Sequence, residues 1–476
     1  MEIVIVGTGA SSIFATLKLI ELGYKPTLID LGEKNKKNFT RNKKTTFKNG
    51  QKILVKSNNF FKININKLKD IPPYNFEEGG FLTEWGGCIL PASEFDLKDW
   101  PINLLELKPY YEFVLKNSSF IASDGDLNSF FPLFNKNNIN SDYFISSGIK
   151  NLEKNLNLKK EFINKKKVYF GRSRYLISES DETLIFSFTD IQKKLLNNKK
   201  INYLSGYFLD SYEELDDRVS LKLIDYNNKT EFLICDKLFV GAGAVNSSRL
   251  FLNSQKIYNF PLKLQSTNSY FLPLVSLSRY KNENINSKPG LFLETKLPDN
   301  EKGNFIHMQI STLNQKLLNQ LSFFQNNRFF LKKIINFFSS VIYILHINFN
   351  SKYSDYYEIY LDENSNLNSK YCINKEAPML FKVLYKRLFN IFIYLKILLI
   401  YPFNLKIVQS KSYYIGGTMP MSKNPKKEFE TDLLGRPKNH RNVHFIDSST
   451  FPTIPSTTFA LTIMANSVRI IEKTLK

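Results

Sequence analysis

The first thirty residues constrain this chain more than any other stretch. Residues 2–6, Glu-Ile-Val-Ile-Val, form a short β-branched apolar run of the kind buried in a parallel sheet, and Gly7 ends it. Gly7-Thr8-Gly9-Ala10-Ser11-Ser12 opens an apolar-periodic segment, Ile13–Leu22, which Gly23 terminates before a second strand, Pro26–Ile29, finishing at Asp30. Strand, glycine turn, helix and strand in this order predict a βαβ unit that binds a dinucleotide. Gly7 permits the tight turn and Gly9 lets backbone approach a pyrophosphate. The first helical amides, at Ala10 and Ser11, offer it the positive end of the helix dipole. Ser12 stands at the third glycine position of the fingerprint and is small enough for close helix–strand packing. Asp30, about twenty residues beyond the turn, can accept hydrogen bonds from a ribose. The fingerprint does not separate one dinucleotide from another, and an ordinary βαβ unit without ligand is the alternative.

With 476 residues, 43% of them hydrophobic, two substantial cores are expected. Cys88, Cys235 and Cys372 show no C-x-x-C spacing, which argues against a disulfide framework or a zinc site and for a reducing cytoplasm. The N-terminus enters the first strand directly, so no export signal is expected. The formal charge of +21 is spread along the whole chain together with heavy Asn, Ile and Phe usage. It reads as solvated surface charge, and no nucleic-acid module accompanies it.

Four further segments resemble the glucose-methanol-choline oxidoreductase family. One is Gly79-Gly80-Phe81-Leu82-Thr83-Glu84-Trp85-Gly86-Gly87, continuing through Pro91, Asp96, Trp100-Pro101 and Pro109-Tyr110-Tyr111. A second is Asp236-Lys237-Leu238-Phe239-Val240-Gly241-Ala242-Gly243-Ala244, with Asn246-Ser247-Ser248-Arg249-Leu250 after it. The third is Gly416-Gly417-Thr418-Met419-Pro420-Met421, and the fourth runs from Val443 through Asp447-Ser448 and Pro455-Ser456 to Arg469-Ile470. The resemblance covers about residues 1–115, 200–255 and 405–476. It implies an α/β chain: an FAD-binding, Rossmann-like, doubly wound and mainly parallel sheet, with a second, substrate domain on an antiparallel sheet. Residues 1–120, 150–265 and 405–476 would form the discontinuous FAD domain, and 266–404, with part of 121–149, the substrate domain. Gly7, Gly9, Ala10, Ser11, Ser12, Asp30, Gly79, Gly80, Thr83, Trp85, Gly86, Gly87, Leu209, Ala242, Gly243, Asp447, Ser448 and Thr458 would surround the FAD. Asp447 would bond a flavin ribityl or pyrophosphate-proximal hydroxyl. A helix from about Thr462 would aim its positive end at the flavin. Glu84, before Trp85, offers no histidyl linkage, so the FAD would be held without a covalent bond.

The resemblance implies oxidation of a CH–OH group, with a sugar or polyol as substrate and an unidentified electron acceptor. That chemistry needs a base beside the carbinol oxygen. The family places a histidine just before the Gly-Gly-Thr element and a His or Asn after the later Pro-Ser, where this chain has Tyr414 and Thr458. Tyr414 could donate a hydrogen bond, or act as base only with a strongly lowered pKa. The histidines are His307, His346, His440 and His444. His444 reads as structural, and His307, on an alternating strand, could face a pocket. These departures leave two alternatives: a flavoprotein of other redox chemistry, and a degenerate FAD-binding scaffold.

Strand-like alternation recurs in Tyr270–Leu277, Phe305–Ser311, Ile342–Phe349 and Tyr356–Leu361. Two aromatic, basic segments, Arg328–Phe338 and Leu384–Tyr401, are too short or too interrupted to span a bilayer, which takes about twenty apolar residues. They are either core helices over the substrate pocket or helices lying on an anionic membrane surface, at the inner face of the membrane if the chain is cytoplasmic. Asn/Lys-rich stretches near 34–50, 134–141 and 280–288 read as surface loops.

Overall fold

The computed structural model describes residues 1–32, 63–123, 125–134, 145–178, 185–280, 288–296, 305–313, 340–401 and 409–476. The stretch 34–50 and the segment Arg328–Phe338 lie outside the described residues. So do 134–141 and 280–288, except for Phe134, Tyr280 and Lys288.

In chain order, the elements that position the site begin with β1 (Ile3–Val6), α1 (Ala10–Glu21) and β2 (Thr27–Asp30). Then come α2 (Ser147–Leu158), β3 (Val168–Arg172), β4 (Asn202–Ser205), β5 (Lys237–Val240) and α3 (Ala244–Ser254). The next are β6 (Leu262–Ser276), β7 (Leu291–Lys296), β8 (Phe305–Thr312), β9 (Ile342–Asn348), β10 (Tyr356–Leu361) and β11 (Leu367–Cys372). Last are α4 (Ala377–Tyr394), β12 (Ile397–Leu399), β13 (Gln409–Gly416), β14 (Val443–Phe445) and α5 (Ala460–Leu475).

The parallel sheet runs in the order β14, β5, β1, β2, β4. Strand β1 shows why the sequence starts with four consecutive apolar residues. Ile3 and Ile5 pack with Phe14 and Leu19 of α1 and Val468 and Ile471 of α5, whereas Val4 and Val6 pack with Leu250 and Phe251 of α3. Both faces of the sheet are therefore covered, as a doubly wound α/β fold requires.

The second sheet is larger and mainly antiparallel. Its central strand, β6, pairs with β9 and β10 along one edge and with β12 and β13 along the other. Strands β8, β7 and β3 extend it beyond β9. One face is apolar: Tyr270, Leu272, Leu293, Met308, Ile310, Leu345 and Ile347 meet Phe381, Leu384, Leu388 and Ile391 of α4 and Ile149, Leu152 and Leu156 of α2. Each such side chain contributes about 1.5–3 kcal/mol of burial. The expected two-sheet α/β architecture is thus present.

The apolar segment Leu384–Tyr401 is not helical throughout. Helix α4 stops at Tyr394, Lys396 turns the chain at φ 58°, and β12 joins the edge of β6. Helix α4 is a core helix by its buried face, and among the described residues no helix is long and apolar enough to cross a membrane. The domain boundaries also differ from the sequence reading. Helix α2 and strand β3 pack with the large sheet, although 150–265 was assigned to the FAD half, and β13 pairs with β6 although 405–476 was assigned there too. Amphipathic spacing marks a buried face without naming the sheet that buries it.

Gly7 carries a tight turn directly after β1. Its φ is +95°, and a methyl group there would lie 2.6 Å from the Gly241 carbonyl oxygen, itself fixed at the end of β5. Replacing Gly7 by Ala should destabilise the protein by about 2–5 kcal/mol through left-handed strain plus overpacking, read as a lowered midpoint in urea unfolding.

Candidate cofactor and substrate site

Parallel strands end together, so the segments that leave them converge. The turn after β1 (Gly7–Gly9), the end of β2 (Asp30), the turn after β5 (Gly241–Gly243) and the segment after β14 (Asp447, Ser448) all line one cavity of about 820 Å³. This is the carboxyl edge of the sheet, where open α/β sheets take ligands. The far wall comes from the large sheet.

Helix α1 starts at this cavity with Gly9 as N-cap, no side-chain cap and no acid in its first turn. Helix α5 does the same, starting at Ala460 after Phe459, with Thr458, Phe459, Ala460 and Ile463 in the wall. Two helix N-termini without side-chain caps therefore offer amides and positive dipole to whatever fills the cavity.

Asp30 reaches the wall with both carboxylate oxygens already engaged, by Thr8 Oγ1 at 2.6 Å and by the Gly32 amide. Thr8 Oγ1 accepts in turn from the Gly79 amide at 2.8 Å, which ties the glycine-rich loop to the end of β2. A carboxylate keeps further acceptor sites after two bonds, so Asp30 can still receive a ribose hydroxyl. Burial pushes its pKa up to about 6, against the donation from Thr8 and Gly32.

Asp447 is engaged differently. It accepts from the Gly243 amide (2.8 Å), Ser247 Oγ (2.5 Å) and the Ser449 amide (2.9 Å), so its carboxylate braces the N-terminus of α3 against the segment after β14. Burial raises its pKa while these donors oppose the rise. It still lines the cavity, but its first duty is to position the two turns.

Of the residues singled out from the sequence, Gly7, Gly9, Ala10, Ser11, Asp30, Gly80, Trp85, Gly86, Leu209, Ala242, Gly243, Tyr414, Asp447, Ser448 and Thr458 lie in the cavity wall. Ser12, Gly79, Thr83 and Gly87 stand behind it. Ser12 Oγ faces the Val6 and Gly241 carbonyls, and Thr83 Oγ1 bonds the Gly80 carbonyl and Glu77. Gly79 and Gly87 take φ values of +87° and +76° in the loop.

The glycines give a direct test of whether a dinucleotide fits. A methyl group built on Gly9, Gly86 or Gly243 would meet no atom within 4 Å, so each faces open cavity where a cofactor backbone would run. With the helix N-terminus, Asp30 and this cradle in place, the residues present fit the group.

The large sheet supplies a polar wall that sequence reasoning did not assemble. Ser269 and Phe271 of β6, Gln309 and Ser311 of β8, and His346 and Asn348 of β9 all line the cavity. The alternation in Phe305–Ser311 and Ile342–Phe349 was visible, but not which face would be the cavity. His307 does not line it. It is fully buried beside Glu294, and Gln309 Nε2 donates to it at 2.9 Å, so it stands behind Gln309. His444 is buried in the core with Nδ1 against the Leu434 carbonyl and its ring stacked on Phe239. Tyr414 lines the cavity, edge-on to Phe459 at 5.0 Å, and burial raises its pKa, which leaves it a neutral donor and removes it as a base. Thr458 Oγ1 is buried without a hydrogen-bond partner among the described residues.

Two outcomes are expected. Gly9→Ala should change stability by less than about 1 kcal/mol yet weaken FAD binding at least about tenfold, because the added methyl occupies the pyrophosphate's path; flavin-fluorescence titration of the apoprotein measures it. Because the raised pKa lets native Asp30 hold a proton that the unfolded chain releases, wild type should gain stability relative to Asp30→Asn as pH falls from above 6 to below 4. The gain should reach about 3 kcal/mol and is read from paired thermal melts of the ligand-free proteins.

No protein-family model matches the sequence, and no curated protein matches it significantly. Among solved structures the chain is similar to pyridoxine 4-oxidase from Mesorbium loti, with a TM-score of 0.66 and 11% sequence identity over 99% of this chain and 98% of that one. The chain therefore has the two-domain fold of the glucose-methanol-choline oxidoreductases.

Proposed function

We propose that this protein is an FAD-dependent oxidoreductase of the glucose-methanol-choline kind that oxidises the CH–OH group of a small alcohol. The observation that carries this reading is the shared cavity: a dinucleotide cradle on one side and a polar, partly aromatic sheet face on the other line the same space. Bound flavin supplies a two-electron acceptor for the hydrogen on the carbinol carbon. The remaining work falls to the chain. Gly9 and the first amides of α1 hold the pyrophosphate, Asp30 the ribose, and the N-terminus of α5 stabilises negative charge on the reduced ring. Glu84 in place of a histidine supports attachment without a covalent bond.

The substrate wall favours a hydroxyl-rich or hydroxymethyl-bearing molecule. Ser269, Ser311, Gln309 and Asn348 can read hydroxyls, and Phe271, Trp85 and Phe459 offer flat apolar faces. A sugar or polyol suits this wall, and so does a hydroxymethyl group on an aromatic ring, as in the pyridoxine of the structural neighbour's name. Mixed anaerobically with glucose, glycerol, benzyl alcohol or pyridoxine, the flavin-loaded protein should bleach in its visible band with at least one of them. Bleaching with none would favour other redox chemistry.

Peripheral membrane contact is a second reading, supported by the outer face of α4 and β12. Met379, Val383, Ile393, Tyr394 and Leu398 are exposed among the described residues, with the side chains of Lys382, Lys386 and Lys396 exposed beside them. The protein should then float with phosphatidylserine vesicles at low salt and separate from them at high salt; failure to float at low salt removes this reading.

A further inference from the structure

Oxidising an alcohol requires a proton acceptor, and the positions where the resemblance places one hold Tyr414 and Thr458. Neither serves: burial raises the Tyr414 pKa, and a threonine hydroxyl does not take protons at neutral pH. The candidate must come from elsewhere in the same cavity.

Of the four histidines, His444 is locked in the core, His307 is bonded to Glu294 and Gln309, and His440 Nδ1 lies against the Lys438 carbonyl. His346 is different. It lines the cavity, and its Nε2 is buried with no hydrogen-bond partner among the described residues. Asn348, two residues along β9 and so on the same face, also lines the cavity. Asn348 is fully buried; its Oδ1 accepts from Ser269 Oγ at 2.5 Å, while its Nδ2 has no partner among the described residues. Two side-chain nitrogens without a partner among the described residues therefore belong to alternate residues of one strand in the cavity wall.

Leaving a buried polar group unbonded costs about 1–3 kcal/mol each. Two such groups, adjacent on a strand whose other face is fully packed, call for a ligand that satisfies both. A hydroxyl does so: its hydrogen points to an acceptor and its oxygen lone pairs to a donor. The ring is also held in place. Phe271, opposite His346 on β6, stacks on it at 4.3 Å with an interplanar angle of 6°.

We infer that His346 and Asn348 form the hydroxyl-handling pair of this enzyme, in place of the pair the resemblance puts at 414 and 458. Asn348 Nδ2 donates to the substrate oxygen and fixes its position. His346 takes the hydroxyl proton: the O–H bond breaks, an N–H bond forms on the imidazole, and the oxygen's electron pair becomes the second bond of a carbonyl. Bound flavin would be the two-electron oxidant that accepts the carbinol hydrogen with its electron pair. Burial lowers the His346 pKa to about 4, so the imidazole is neutral at neutral pH. The inference rests on the alcohol-oxidising reading above.

The test uses flavin-loaded wild type, His346→Gln, His346→Ala and Asn348→Ala. All three variants should keep the flavin spectrum of wild type, since none of these residues lies in the dinucleotide cradle. With the alcohol that bleaches wild type best, His346→Gln should slow flavin reduction about 10²–10⁴-fold, and free imidazole should restore part of the rate in His346→Ala. Asn348→Ala should weaken substrate binding about tenfold, with a smaller loss of rate. A readout independent of turnover is the ¹³Cε1 resonance of His346 in histidine-labelled protein, assigned by its loss in His346→Gln; the alcohols of the panel should shift it and leave the His444 resonance in place. Wild-type rates in His346→Gln and Asn348→Ala would overturn the pair while leaving the alcohol-oxidising reading intact. A wild-type flavin that no alcohol reduces, together with an unmoved His346 resonance, would overturn both.

Discussion

The contact between the turns that follow β1 and β5 sets most of what this molecule can do. Gly7 and Gly241 approach backbone to backbone: a methyl on Gly7 would lie 2.6 Å from the Gly241 carbonyl oxygen, and one on Gly241 would lie 2.2 Å from Ser12 Oγ. This close approach lets two strand–turn–helix units share one edge. The Gly7 amide bonds the Ile29 carbonyl and the Gly241 amide bonds the Val6 carbonyl, so hydrogen bonding continues past the strands into the turns themselves. Asp447 then fastens the C-terminal segment to the start of α3. Chain ends more than four hundred residues apart are thereby made into one wall, and two helices without side-chain caps are left facing the space beneath it.

The large sheet completes the cavity by dividing its faces. Over residues 270–274 of β6, 306–310 of β8 and 343–347 of β9 every second residue is apolar and joins the core under α2 and α4, while Ser269, Phe271, Gln309, Ser311, His346 and Asn348 line the cavity. Period-two alternation thus separates a load-bearing face from a chemical one within the same strands. The polar face is costly to bury without partners, and several of its groups are paired internally: His307 with Glu294 and Gln309, Ser269 with Asn348. Among the described residues, His346 Nε2 and Asn348 Nδ2 are left over, on two residues that line the cavity.

Much of the dinucleotide half was legible because its signals are local. Gly7, Gly9 and Asp30 are fixed by turn geometry and strand ends, and the turn at Gly241–Gly243 follows the same logic. The role of Asp447 was less accessible: a carboxylate at a strand end can meet a ligand or brace a helix, and only the donors at Gly243, Ser247 and Ser449 decide for the brace. The substrate side was poorly legible. Alternation in Ile342–Phe349 gives a strand with two faces, but tertiary packing decides that His346 and Asn348 look into the cavity while His307, on the neighbouring strand, sits behind Gln309. Strand β6 extends back to Leu262, beyond the alternation at Tyr270–Leu277, because Gln-Ser-Thr-Asn-Ser at 265–269, where it meets β13, carries no apolar residue.

All of the chemistry rests on FAD occupying this cavity without a covalent bond. The decisive measurement is the visible absorption spectrum of the purified protein, followed by that of the supernatant after acid precipitation. A flavin spectrum recovered in the supernatant and identified as FAD is the expected result. A colourless protein that takes up no added FAD would contradict it and leave the cavity without its cofactor, and flavin retained in the precipitate would contradict non-covalent attachment.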